Sequence, residues 1–182
     1  MRSAVAILLV MTAVMMGVLA QDVAQMCKTI KLEQCRQDLK GGSWYQLGDN
    51  RCIKAFFYTK HLNFDDAERS CNKYGVGSFK GHLVSINNQE ELNKVVCAMY
   101  SVHPGKPHYW IGLKHVLLMP PLPPYWIWTD GTGDNFHNWA RGQPDNYLLR
   151  EGCVEMNYWS WGLWNDEACW AERPYMCQVK FY

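Results

Sequence analysis

Eight cysteines, at positions 27, 35, 52, 71, 97, 153, 169 and 177, constrain this chain more than any other feature. All follow a leading run, AVAILLVMTAVMMGVLA from Ala4 to Ala20, that is apolar and preceded by Arg2. Small residues at Val18 and Ala20 suit a signal-peptidase cut, so residues 1–20 are expected to be a signal peptide. A membrane anchor is the competing reading. The run is short for that, and QDVAQ rather than a basic cluster follows it. An even cysteine count behind such a leader points to a secreted, extracellular protein with disulfides. Zinc would call for closely spaced C-x-x-C or Cys/His pairs, and the sequence has none. Cysteine spacing alone leaves 105 pairings open.

Without the leader, roughly 160 residues remain, enough for one domain with a single core. The net charge of +1 provides no footprint for nucleic acid or an anionic membrane. No second apolar stretch is long enough for membrane insertion, and no N-x-S/T sequon occurs. Residues 21–34 are polar and read as an N-terminal extension, with the domain proper over 35–182.

SWYQLGDNRCIKAFFY reads as a hairpin around a GDN turn. Two helices follow. In NFDDAERSCNKYG, Asn63 is the expected cap and Gly75 the expected stop, with Phe64, Ala67, Cys71 and Tyr74 on one face. In SINNQEELNKVVCAMY, Asn87 with Glu90 has the pattern of a capping box, and Leu92, Val95, Val96 and Met99 form the apolar stripe. Cys97 falls off that stripe, on the expected solvent side. HYWIGL, YWIWTDG and PYMCQVKFY are strand-like, while Val116–Pro124 forms a proline-rich apolar loop. The fold class expected is α+β, two helices with short antiparallel strands and a long irregular loop region. Such a loop in a compact domain is usually functional, and its tryptophans argue against disorder.

That loop region concentrates side-chain oxygens: Gln143, Asp145, Glu151, Asn165 and Asp166. Calcium takes six to eight oxygens from carboxylates, amides and carbonyls, so this set could supply the protein's share. Asn, Asp and Gly also make ordinary turns, and composition does not separate the two readings.

The ordered motifs WIGL (110–113), WIWTDG (126–131), QPD (143–145), EGCVEM (151–156) and WND (164–166), closing on Cys177, resemble a C-type lectin-like domain of the soluble galactose type found in fish and invertebrates. The resemblance spans about Cys35 to Tyr182. It implies the disulfides Cys71–Cys177, Cys153–Cys169 and Cys35–Cys52. Cys27 and Cys97 are left to pair with each other or to link protomers. It also implies a cis Pro144, and a calcium ion held by Gln143, Asp145, Glu151, Asn165 and Asp166. Two sugar hydroxyls would bind that ion while hydrogen-bonding Gln143, Asp145, Glu151 and Asn165. The Gln-Pro-Asp order goes with galactose-like sugars in this family, and Glu-Pro-Asn with mannose-like ones. Tyr147 stands where galactose-type members commonly carry a Trp, and could stack on the sugar's apolar face. Trp159 and Trp161 could edge the site or pack inward.

Two departures from the family pattern stand out. The path from Glu151 to Asn165 is longer than in its commonest form, and Asn146 and Gly152 replace acids that some members use for a second calcium. The function expected is a secreted, calcium-dependent lectin for galactose or N-acetylgalactosamine, acting in innate defence. Weak single sites would make a disulfide-linked or non-covalent homo-oligomer useful. The alternative is a member of the same fold that binds ice or another protein, for which the apolar Val116–Pro124 loop is the pointer. No nucleophile–base arrangement marks an enzyme.

Overall fold

The structure, a computed structural model, describes residues 23–116 and 125–182. The leader and most of the proline-rich loop expected over Val116–Pro124 lie outside the described residues.

Residues 23–29 form a short helix, α1, that the polar sequence did not announce. The hairpin of β1 (Tyr45–Leu47) and β2 (Arg51–Phe56) turns at the GDN segment. Helix α2 (Phe64–Cys71) starts at Asn63, whose side chain accepts the Asp66 N–H at 2.9 Å. It buries Phe64, Ala67 and Cys71, the face set by its apolar spacing. The helix stops at Cys71, short of Gly75. That glycine opens a small hairpin, β3 (Gly75–Val76) with β4 (Phe79–Lys80), followed by β5 (His82–Leu83). A Cβ at Gly75 would lie 2.4 Å from the Phe79 carbonyl oxygen, so the position needs glycine for close approach.

Helix α3 (Gln89–Val102) begins one residue later than the capping pattern predicts. Asn88 Oδ1 accepts the Glu91 N–H at 2.9 Å, and the Asn87 N–H donates to Glu91 Oε2 at 2.8 Å. Glu91 is the acid used because it also pairs with buried Arg51. Leu92, Val95, Val96 and Met99 are buried as their spacing requires. Cys97 is buried too, against expectation: it is disulfide-bonded to Cys27 in α1, so the face read as solvent is covered.

Six further elements complete the chain. They are β6 (Tyr109–Val116), β7 (Tyr125–Trp128), a 3₁₀ turn (Tyr147–Leu149), β8 (Glu151–Met156), β9 (Trp164–Ala168) and β10 (Tyr175–Lys180). The main sheet runs β1-β2-β10-β6-β8-β9, with β5 paired to β10 and β7 to β6. All its pairings are antiparallel except β10 with β6. One core cluster joins α3 to the sheet through Ile86, Val95, Ile111 and Trp164. The other joins α2 to it through Phe64, Trp110 and Tyr175.

Four disulfides clamp these layers: Cys27–Cys97, Cys35–Cys52, Cys71–Cys177 and Cys153–Cys169. No cysteine is left free to link protomers. No helix among the described residues is long and apolar enough to cross a membrane.

Candidate functional site

The long loop after β7 is tied to the sheet at both ends. At its start, Asp130 accepts hydrogen bonds from Ser85, Gln178 and the Thr132 hydroxyl. Burial would raise this carboxyl, but hydrogen bonds from Thr132, Lys180 and Ser85 outweigh it and hold the pKa at about 2. Further on, the Ala140 N–H donates to the Trp164 carbonyl and the Trp164 N–H to the Asn138 carbonyl, both at 2.9 Å. This adds a short parallel bridge beside β9 and delivers Gln143, Pro144 and Asp145 next to the start of that strand. The Gln143–Pro144 peptide bond is cis.

Two ladders then fix the acids. In the β8–β9 pair, Glu155 faces Asn165 and Val154 faces Asp166. The long path from Glu151 to Asn165 is absorbed by a turn between the strands. There buried Asn157 accepts the Gly162 N–H at 3.0 Å and donates to the Pro107 carbonyl at 3.0 Å. Beyond the irregularity after Glu151, the pairing runs regularly from Cys153 opposite Glu167 to Met156 opposite Trp164.

Asp145, Glu151 and Asp166 each offer a carboxylate oxygen, and these atoms all lie within 4.8 Å of one another. Asp166 accepts the N–H groups of Asp145 at 3.0 Å and Asn146 at 2.8 Å. Glu151 accepts the Tyr147 N–H at 2.9 Å, while its own N–H donates to Asn146 Oδ1 at 3.1 Å. Burial, then the like charges of Asp166, Glu167 and Asp145, push the Glu151 carboxyl up to about 7. The Tyr147 N–H opposes that rise and does not overcome it. Gln143 Oε1 is buried with no hydrogen-bond partner.

Three converging carboxylates and an orphaned amide oxygen are unfavourable for the protein by itself. They fit a hard cation, since two oxygens on one calcium stand at most about 5 Å apart. Gln143, Asp145, Glu151 and Asp166 would hold such an ion. Once bound, it would neutralise the acids and offer positions to ligand hydroxyls.

Asn165 stands differently. Its Nδ2 donates to Glu155 Oε1 at 3.2 Å, which orients the amide through one of its two N–H donors. Glu155 is 1% exposed and receives Arg173 Nε at 2.7 Å and His108 Nδ1 at 2.9 Å. Burial would raise its carboxyl, but His108 and Arg173 outweigh that and lower it. Sequence reasoning missed Glu155 as a site residue. The available signal was a lone acid among the buried residues of EGCVEM, opposite Asn165 once the hairpin register is drawn.

Tyr147 is 64% exposed beside the carboxylates. Trp159 is also exposed and stacks on Tyr158, whereas Trp161 packs edge-on against Tyr100 towards the core. Neither of two surface clefts, lined by residues such as Trp44 and Glu90, includes any of the candidate ligands.

This fold, with three acids gathered between a cis-proline loop and a WND strand, defines a class. Residues 60–179 match the Lectin C-type domain family, and the chain belongs to it. C-type lectin BML-1 of Bungarus multicinctus is 34% identical over 131 residues, 71% of this chain and 77% of that protein. A C-type lectin galactose-binding isoform of Pseudechis porphyriacus is likewise 34% identical over 131 residues, with the same shares of 71% and 77%. Among solved structures, the C-type lectin CEL-I of Cucumaria echinata superposes with a TM-score of 0.64 at 27% identity, over 80% of this chain and 97% of that one.

Proposed function

We propose that this protein is a secreted, calcium-dependent lectin for terminal galactose or N-acetylgalactosamine. Gln143, Asp145, Glu151, Asn165 and Asp166 hold the ion, and Tyr147 receives the sugar's apolar face. The observation that carries this reading is the convergence of the Asp145, Glu151 and Asp166 oxygens within 4.8 Å of one another, beside an exposed tyrosine. The Gln-Pro-Asp order and a galactose-binding relative at 34% identity support the choice of sugar. The protein binds and does not catalyse. Recognition of microbial or mucosal glycans in innate defence is the role this chemistry suits. With Cys27 and Cys97 joined within the chain, multivalency would come from non-covalent assembly.

Retention on galactose-agarose with calcium, and release by a chelator or by free galactose, is the expected result. A protein that binds no glycan on an array with calcium present would overturn the reading. It would leave ice or another protein as the ligand of this fold.

A further inference from the structure

Leu148 and Leu149 follow Tyr147 directly and are 64% and 87% exposed. With Tyr147 they make three consecutive large apolar side chains in water, at the edge of the proposed sugar site. Isolated exposed apolar residues are ordinary, but a contiguous protruding group marks an interaction surface. The backbone beneath is also unusual. Asn146, Leu148 and Leu149 have φ of 44°, 55° and 57°, the left-handed region that disfavours a leucine. Such conformations persist only where the surroundings hold them. Here Asp166 accepts the Asn146 N–H, Glu151 accepts the Tyr147 N–H, and the Leu149 N–H donates to the Asn146 carbonyl at 2.7 Å. The same acids that form the ion site thus pin the turn that turns both leucines outward.

We propose that Leu148 and Leu149 are a lipid-contacting lip that enters the bilayer interface when a galactose-headed glycolipid occupies the adjoining site. This rests on the galactose reading above. Side chains this exposed have no walls around them, so they cannot enclose a small apolar ligand as a pocket would. A deformable apolar phase can take them in, with strength that scales with the area buried. Exposed Arg141 and Arg150 flank the segment in sequence, and with Asp145 and Glu151 committed to the proposed ion they are the charges left to complement lipid phosphates. Both leucines also lie within two residues of Tyr147, at most about 7 Å along the backbone, so the ring proposed to receive the sugar and the apolar side chains share one edge. A second copy of the chain fits poorly, because lip-to-lip contact would cover the adjoining proposed sugar site on each copy.

The test compares wild type with a Leu148→Ser/Leu149→Ser double variant in calcium. One arm uses phosphatidylcholine vesicles containing galactosylceramide, and the other uses galactose-agarose. The expected result is a loss of about tenfold or more in vesicle affinity, with retention on the beads unchanged. Equal vesicle binding by the two proteins, or an equal loss in both arms, would overturn the lip. A wild-type dimer in sedimentation that the variant dissolves would overturn it in favour of a second copy. Wild type that passes through galactose-agarose defeats the galactose reading separately. Plain phosphatidylcholine vesicles then decide the lip: weaker partition of the variant supports it, and equal partition sinks it.

Discussion

Asn165 donates its amide to Glu155 across the β8–β9 pair at 3.2 Å, and Glu155 is itself held by Arg173 and His108. This chain of contacts links the partly exposed Arg173 and His108 to buried Asn165, one of the proposed calcium ligands. An amide has one donor end and one acceptor end, so fixing Nδ2 on Glu155 reserves Oδ1 for another partner. Loss of such supporting contacts typically weakens metal binding by about 10- to 100-fold.

Glu155→Gln keeps the shape but removes the charge and lets either end of the new amide face Asn165. Calcium affinity measured by titration calorimetry should fall by about tenfold or more. Glu155→Ala should in addition lower stability in denaturant unfolding by about 1–2 kcal/mol, because buried Asn165 loses its acceptor while the partly exposed Arg173 and His108 can turn to water. A Glu155→Gln variant with wild-type calcium affinity would show that Asn165 is positioned by something else.

Gln143→Glu combined with Asp145→Asn exchanges an amide and a carboxylate without changing net charge. Calcium binding should persist while retention moves from galactose-agarose to mannose-agarose. Loss of both retentions with calcium binding intact would mean that sugar choice depends on contacts outside the Gln-Pro-Asp segment.

The β1–β2 hairpin, β6, β7, β10, α2 and the apolar stripe of α3 were legible because their side-chain periodicity reports which face is buried, whereas β3, β4, β5, β8 and β9 lie in segments without a clear alternation. Cap positions were less so. Asn87 and Asn88 offer the same chemistry, and the choice between them depended on Glu91 reaching Arg51, a residue far away in sequence. Cys97 was misread for a related reason. A helical wheel knows only its own helix, and the cover over that face comes from α1, 70 residues earlier. At the site, Asp145, Glu151 and Asp166 could be named from motif order. Glu155 could not, since its role exists only once β8 and β9 are in register.

The Cys27–Cys97 bond closes a separation of 70 residues and ties α1 to α3. Chain-entropy reasoning gives such a loop about 4 kcal/mol. The Cys27→Ser/Cys97→Ser double variant should therefore unfold at markedly lower denaturant while keeping its galactose-agarose retention, since neither cysteine belongs to the acid cluster or hydrogen-bonds to it. An unchanged unfolding midpoint would mean that packing of Val23 and Met26 on the core suffices to hold the N-terminal helix.

Glu151 gives the site a pH dependence of definite sign. Its carboxyl is pushed from an ordinary 4.5 up to about 7, first by burial and then by neighbouring acids. Between those values the calcium-free folded chain keeps a proton that the unfolded chain releases. Glu151 therefore contributes stability that declines as pH rises from about 4.5 to about 7. Calcium reverses the trend, because the ion needs the deprotonated carboxylate and compensates the repulsion among the three acids. Calcium affinity should thus weaken as pH falls below about 7, and binding should release about half a proton near neutrality and close to one proton about a pH unit lower, detectable by calorimetry in buffers of different ionisation enthalpy. Glu151→Gln should flatten the calcium-free stability profile in that window and abolish the proton release. A pH-independent calcium affinity between pH 5 and 8 in wild type would show that Glu151 is already ionised when the ion arrives.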